Sequence, residues 1–228
     1  MKPEKLLEKY FAIKNEYYYR LLEHSKAVAK KALEIADNVQ NLNPDKQFIY
    51  EAAMLHDIGV SEIIKLREKD PEIPYICHGY FGRLILEKEG LSKHALVSER
   101  HIGVGITKKQ IIKEKLPLPK RDMVPVSLEE KIIAYADNFY SKTSDPKKRK
   151  KTFKEAEKSL GLFGKYKINT YFYPALPAAP SHNSFTAADG QAANDPSGPN
   201  KPAHAAHGAS IAAGHVCVAA QPMEDFDI

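Results

Sequence analysis

The strongest constraint on the fold is a helical period in segment 15–39. Apolar and small residues recur there at steps of three and four, on one stripe of an α-helix: Leu21, Ser25, Val28, Ala32, Ile35 and Val39. Segment 41–45 (Asn-Leu-Asn-Pro-Asp) then supplies a stop, a proline and a new N-cap. The stripe therefore predicts a long amphipathic helix that buries one face against other helices.

Helical patterns continue along the chain, and no alternating run is long enough for a sheet. We expect helices over 45–57, 78–89, 92–100, 108–115, 127–140 and 147–163. Gly59 and Gly90 are expected to end two of them, and Thr107 to cap a third. Ser127 and Glu130 have the spacing of a capping box, in which each side chain bonds the other residue's backbone N–H. The predicted fold class is all-α.

Composition divides the 228-residue chain into two parts. Segment 171–228 holds 15 Ala and 7 Pro with a net charge of −4, whereas segment 1–170 has 33 Lys and Arg against 24 Asp and Glu, a net charge of +9. We expect one domain over 1–168 and a low-complexity, disordered Ala/Pro/His tail over 169–228. Two cysteines, no signal-peptide core and no apolar run of about 20 residues predict a cytoplasmic protein without a membrane segment.

Four ionisable residues interrupt the apolar stripes. His24 stands between Leu21 and Val28, His56-Asp57 follows Ala52-Ala53, and Asp137 follows Ile133 at i+4. A buried carboxylate needs a cation or a hydrogen-bond network, and imidazole with carboxylate is a common ligand set for divalent metals. Alternatives exist for each residue taken singly: a hydrogen-bonded core histidine, a His-Asp-Gly helix end, and an Asp paired with Lys or Arg. Their combination on separate helices favours a metal site.

The same residues resemble a known family. Leu55-His-Asp-Ile-Gly59 matches the His-Asp-Ile-Gly motif of the HD superfamily of metal-dependent phosphohydrolases, and His24, His56, Asp57 and Asp137 match that family's ordered ligand set over about 15–145. The resemblance implies a single HD-domain helical bundle, with these four residues as metal ligands and with Asp57 and His56 as catalytic residues.

Two more histidines resemble the extra ligands of HD proteins that hold two metals. By that resemblance His24, His56, Asp57 and Asp137 bind one divalent ion, while His78 and His101 bind a second that Asp57 bridges. Fe, Mn, Ni, Co and Zn all suit these ligands. The cyclic-dinucleotide branch of the superfamily carries Lys where this chain has Val60, so that branch is not expected.

The resemblance implies hydrolysis of a phosphoester or phosphoanhydride, in a nucleotide or other small phosphorylated metabolite, by metal-activated water. Basic residues that follow the motif segments are the expected contacts to phosphate: Arg83, Arg100, Lys108, Lys109 and Arg121. Each of these could equally be an ordinary solvated surface charge. A homodimer is compatible with the pattern.

Two other interpretations stay open on the sequence. Some HD proteins with two irons are oxygenases with the same ligand set, and a non-catalytic HD module could bind a nucleotide. No nucleic acid partner is expected, because the basic residues are not interleaved with aromatic ones. The run Lys147–Lys151 is most simply the solvated start of a helix.

Overall fold

The structure is a computed structural model that describes residues 2–142, 150–152 and 154–156. Extended pairing among these residues is limited to two isolated bridges, Ile106–Met123 and Tyr140–Lys150. The all-α prediction is therefore confirmed. The described residues contain two short 3-10 helices, Gln40–Leu42 and Tyr75–Cys77, and these α-helices: α1 (Pro3–Tyr10), α2 (Glu16–Asn38), α3 (Lys46–Leu55), α4 (Val60–Arg67), α5 (His78–Lys88), α6 (Ser92–Arg100), α7 (Lys108–Lys113) and α8 (Leu128–Asp137).

The predicted long helix is present as α2. It begins after Asn15, whose side-chain oxygen accepts a 3.0 Å hydrogen bond from the backbone N–H of Tyr18. Its buried face carries the predicted stripe, and His24 lies on that face between Leu21 and Val28. Helices α3 and α8 pack against α2, so residues on all three helices can meet in the interior.

Two apolar clusters form the core of the described residues. The larger one joins α2, α3, α6 and α8 and includes Val28, Ile49, Leu55 and Ile133. The smaller one lies beneath the loops between α6 and α8, where it holds Ile63, Cys77, Ile106, Ile111, Leu118 and Met123. No helix in the described ranges combines the length and apolarity needed to cross a bilayer.

The prediction that Gly59 ends a helix is wrong. Helix α3 stops at Leu55, residues 56–59 form a tight turn, and α4 begins at Val60 with Gly59 as its N-cap. The backbone of Gly59 has ordinary helical angles (φ −66°, ψ −13°), so conformational freedom is not why glycine is needed. A Cβ at this position would collide with the carbonyl oxygen of His78 and the amide nitrogen of Gly82. Gly59 therefore lets the turn after α3 approach α5 closely.

The predicted capping box at the start of α8 is only half present. Ser127 Oγ accepts a hydrogen bond from the backbone N–H of Glu130 (3.2 Å). The Glu130 carboxylate accepts from Val126 N (2.7 Å) and pairs with Arg100 (3.1 Å) instead of reaching Ser127. Helix α8 also ends at Asp137, before Tyr140. Charge pairing with another helix has thus replaced the local bond.

Other sequence predictions met mixed outcomes. Thr107 caps α7 in a complete capping box with Gln110. The sequence patterns did not reveal α1 or α4, because eight residues carry too short an apolar stripe to stand out. The predicted helix over 147–163 lies mostly outside the described residues, and the boundary between 1–168 and 169–228 lies wholly outside them.

The close approach at Gly59 gives a stability prediction. Gly59→Ala should lower the free energy of unfolding by about 3 kcal/mol, because the new methyl group meets backbone atoms that cannot rotate away. Gly90→Ala is the matched control: Gly90 has open space around it but a φ of +75°, so the cost should be about 1 kcal/mol of backbone strain. Urea unfolding of both variants measures the difference. A smaller cost for Gly59→Ala than for Gly90→Ala would contradict this account.

Candidate metal centre

Six buried or nearly buried side chains converge from five parts of the fold. His24 comes from the middle of α2 and the His56-Asp57 pair from the turn after α3. His78 is the first residue of α5, His101 directly follows α6, and Asp137 is the last residue of α8. These are all six residues that the sequence predicted as ligands, and the fold brings them together.

The two oxygens of Asp57 face two different pairs of histidines. Asp57 Oδ2 lies 3.4 Å from His24 Nε2 and 3.1 Å from His56 Nε2. Asp57 Oδ1 lies 3.2 Å from His78 Nε2 and 3.4 Å from His101 Nε2. Asp137 Oδ1 joins the first pair, 2.9 Å from His24 Nε2 and 3.5 Å from His56 Nε2. The centre thus has two halves, with the Asp57 carboxylate between them.

These separations suit shared metal ions. Ligand atoms held about 2.1 Å from one ion lie roughly 3.0–3.4 Å from each other in octahedral or tetrahedral geometry. In three groups of side chains the possible ligand atoms all lie within 4.8 Å of one another. The groups are His24 with His56 and Asp57, His56 with His101 and Asp137, and Asp57 with His78 and His101. The structure therefore offers donors for a divalent ion in each half.

Backbone carbonyls set the orientation of three imidazoles. The Nδ1 atoms of His56, His78 and His101 lie 2.6, 2.7 and 2.8 Å from the carbonyl oxygens of Ala53, Tyr75 and Ser98. A carbonyl only accepts hydrogen bonds, so each Nδ1 carries a proton, and in the neutral form of each ring the lone pair lies on Nε2, which faces the centre. Such carbonyl partners are typical of metal-binding histidines.

After the orientation of the histidines, the buried carboxylates are a second indication of a cation site. Asp57 is 1% exposed, and neither of its oxygens receives a hydrogen bond of good geometry; the same holds for Asp137 Oδ1. Lys142 Nζ lies 2.8 Å from Asp57 Oδ2, which is close enough for an ion pair but does not give that oxygen a well-aligned hydrogen bond. Buried carboxylates with so few donors are costly unless cations neutralise them.

Burial and neighbouring charges together set the protonation states of the side chains in the centre. Burial favours neutral groups, yet the imidazolium of His56 and the ammonium of Lys142 hold the pKa of Asp57 well below its usual range. Burial likewise opposes a charge on His56, but Asp57 and Asp137 outweigh it and raise the pKa of His56 to about 10. Burial lowers the pKa of His101 to about 4, so this ring is neutral near pH 7.

Packing around the ligands explains how the helices hold this geometry. Ser98 Oγ donates a 2.7 Å hydrogen bond to the carbonyl oxygen of His56, and it does so directly against Gly82, where a Cβ would collide with that hydroxyl. Asn138 Nδ2, next to Asp137, donates to the carbonyl oxygens of Gly103 (3.1 Å) and Ala134 (2.7 Å). The turn that carries His56 is thereby tied to α6, and the end of α8 that carries Asp137 is tied to the loop after α6.

The three arginines predicted to bind phosphate pair with carboxylates instead. Arg83 and Arg121 both bond the carboxylate of Glu99, which is 1% exposed. Arg100 pairs with Glu130 at 3.1 Å, and Lys108 and Lys109 are exposed at the start of α7. The structure brings none of these five side chains into a described contact with the six ligands. His94, outside the motif, pairs with Glu51 at 3.4 Å.

Sequence reasoning missed Lys142. Its Nζ contacts Asp57 although the residue follows the last predicted ligand, Asp137, by five positions and lies beyond the end of α8. A single lysine after a helix end carries no periodic signal. Only the path of the chain after α8 brings its side chain back to the centre.

The raised pKa of His56 predicts that metal binding is coupled to proton release. The proton on His56 occupies the lone pair that a metal needs, so below about pH 10 the ion must displace it. Between pH 6 and 8 the affinity for Mn²⁺ should rise about tenfold per pH unit, with about one proton released per ion. Calorimetric titrations in two buffers of different ionisation enthalpy measure both quantities. His94→Gln should leave them unchanged, and an affinity that does not vary with pH would contradict the prediction.

Comparison with known proteins relates this centre to a family. The HD domain family matches residues 21–141, a range that contains all six ligands. Over 130 residues the chain is 38% identical to the uncharacterized protein MJ0778 of Methanocaldococcus jannaschii, covering 56% of this chain and 70% of that protein. No solved structure gives a significant match.

Two further relatives carry a functional name. The tRNA (cytidine(56)-2'-O)-methyltransferases of Picrophilus torridus and Thermoplasma volcanium are 36% and 34% identical to this chain, each over 122 residues. The matches cover 53% of this chain but only 31% and 32% of those two proteins, so the chain spans about a third of their length. The match over residues 21–141 and the similarity to the archaeal protein show that the chain belongs to the HD domain family.

Proposed function

We propose that the protein is a metal-dependent hydrolase of a phosphoester or phosphoanhydride, acting on a nucleotide or another small phosphorylated metabolite. The observation that carries this proposal is the position of Asp57, whose two oxygens each face a separate pair of imidazole Nε2 atoms. A carboxylate shared in this way suits two divalent ions, and paired ions are a common arrangement for displacement at phosphorus.

The two halves of the centre have distinct ligand sets. His24, His56, Asp57 and Asp137 would hold one ion, and His78, His101 and Asp57 the other. When bound, divalent ions supply Lewis acidity, which lowers the pKa of water toward about 7 and neutralises charge on phosphate oxygens.

The protein's own groups prepare the site for this chemistry. Hydrogen bonds from Nδ1 to backbone carbonyls keep the His56, His78 and His101 rings in the tautomer that donates through Nε2. The low pKa values of Asp57 and Asp137 keep both carboxylates ionised near neutral pH. Burial of all four histidines excludes bulk water from the donors, which strengthens every charge interaction there.

The names of the relatives help to choose substrates for a test, but they do not establish the activity of this chain. The names of two of them describe 2'-O-methylation of a tRNA cytidine, and this chain spans about a third of those proteins. The methyl-transfer activity in those names is therefore not attributed to this chain. A substrate panel should nevertheless include short RNA with terminal phosphates beside mononucleotides and dinucleotides.

The source of the new oxygen atom separates hydrolysis from oxygenase chemistry, for which the same ligands are suitable. We expect phosphate release from at least one member of the panel, with equal rates in air and under anaerobic conditions with Mn²⁺. When the reaction runs in H₂¹⁸O, mass spectrometry should find one ¹⁸O atom in the phosphoryl product, because hydrolysis at phosphorus places the oxygen of water there. Product formation that requires dioxygen would show instead that the centre is a di-iron oxygenase.

Asp57→Asn tests the role of the shared carboxylate. The amide keeps the shape of the side chain but loses its charge, so the centre should lose most of its bound metal and more than about 100-fold in phosphate release. Metal analysis by mass spectrometry and a phosphate assay measure the two effects together. His94→Gln, a change to a histidine that pairs with Glu51, should retain both. Full metal content and full activity in Asp57→Asn would refute the scheme.

A further inference from the structure

Two cations border the metal centre without a part in the ligand set. Arg20 lies one helical turn before His24 on α2, so its side chain emerges on the same side of the helix. Lys142 reaches the centre from the chain beyond α8, with Nζ 2.8 Å from Asp57 Oδ2 and only 11% of its side chain exposed. The two positive charges thus approach from different elements.

Two tyrosines connect these cations with the metal ligands. The Arg20 guanidinium lies 5.5 Å from the ring centre of Tyr17, and Lys142 Nζ lies 6.0 Å from that of Tyr75. The Tyr75 ring in turn is 4.5 Å from the ring of His78. Arg20, Lys142, Tyr17 and Tyr75 therefore form one group of side chains beside the ligands, which we call the anion site.

The tyrosine hydroxyls of the anion site are hydrogen-bond donors at neutral pH. A tyrosine hydroxyl ordinarily loses its proton only at about pH 10, so the hydroxyl groups of Tyr17 and Tyr75 keep their protons and can donate. The two hydroxyl groups also lie close enough to influence each other. The anion site thus combines a guanidinium, an ammonium and two neutral O–H groups.

Arg20 differs from the arginines that the sequence analysis selected. Arg83, Arg100 and Arg121 all bond carboxylates. Within the described ranges no carboxylate pairs with Arg20, and its buried Nε atom donates no hydrogen bond. A buried N–H without an acceptor is costly in the absence of a ligand. Arg20 therefore retains donors for an incoming anion.

We propose that Arg20 and Lys142, with the hydroxyl groups of Tyr17 and Tyr75, bind a phosphoryl group of the substrate beside the metal centre. The proposal rests on the proposed function and names the substrate end that the enzyme recognises. Guanidinium and ammonium groups pair well with phosphate oxygens, because charge-assisted hydrogen bonds are about twice as strong as neutral ones.

The carboxylates of the centre make anion binding depend on metal. The Asp57 carboxylate lies 2.8 Å from Lys142 of the anion site, and Asp137 lies 2.9 Å from His24 in the same centre, so their negative charge repels phosphate until divalent ions neutralise it. Inorganic phosphate should therefore bind the Mn²⁺-loaded protein more tightly than the metal-free protein. This order of binding also follows from Lys142, which pairs with Asp57 as long as no divalent ion does so.

Calorimetric titration of the Mn²⁺-loaded full chain with inorganic phosphate tests the anion site. Arg20→Met and Lys142→Met should each weaken phosphate binding about 10- to 100-fold, while Mn²⁺ affinity stays the same or, for Lys142→Met, increases. Arg20→Lys and Lys142→Arg keep the charge and should restore part of the affinity. Lys26→Met and Lys30→Met, which remove exposed charges from the same α2 helix, are the matched controls.

Each outcome decides between the two proposals. Unchanged phosphate affinity in both methionine variants would overturn the anion site, whether or not the wild-type protein hydrolyses phosphoesters. The variants could instead lose Mn²⁺ or thermal stability in proportion to their loss of phosphate affinity, without rescue by Arg20→Lys or Lys142→Arg. That result would show a structural role for these residues and would also overturn the anion site. The methionine variants could selectively weaken phosphate binding while the wild-type protein releases no phosphate from any substrate of the panel. That result would support the anion site and reject the proposed function.

Discussion

The carboxylate of Asp57 is the group on which the rest of the structure depends. It is 1% exposed and lies within 3.4 Å of four imidazole nitrogens and 2.8 Å of an ammonium group. A carboxylate at this depth destabilises the fold unless positive charge surrounds it. The positions of five separate chain segments are consistent with that requirement, since each of them brings a donor or a cation to Asp57.

Helix ends, more than helix faces, carry the ligands. His24 alone lies within a helix, whereas the other five ligands lie on the turn after α3, at the start of α5, after α6 and at the end of α8. The spacing of such residues depends on how closely the helices approach each other. The missing side chains of Gly59 and Gly82 permit that approach, and Ser98 connects α6 to the backbone of His56. Small residues outside the ligand set therefore determine the ligand distances.

The sequence predicted the fold class and the convergence of six residues, but not the charge pairs around them. Helical period and the His-Asp motif are local patterns, and they are sufficient to predict α2 and the six residues that converge. The pairing of Lys142 with Asp57, and of Glu99 with Arg83 and Arg121, depends on which long side chains face each other across the fold, and sequence spacing does not encode that. The same limit explains Glu130, for which a local capping pattern gave way to Arg100 on another helix.

The local charge around the centre supports the proposed phosphate site more directly than the net charge of the domain does. The net charge of +9 in segment 1–170 does not mark a site by itself, because the arginines selected from the sequence pair with Glu99 and Glu130. Near Asp57 the described ionised groups balance: the Asp57 and Asp137 carboxylates stand against the His56 imidazolium and the Lys142 ammonium. Two divalent ions would add four positive charges to this balanced set, less any proton that His56 loses. An anion would then restore neutrality, and the phosphoryl group that we propose Arg20 and Lys142 bind would meet that need beside the metal centre.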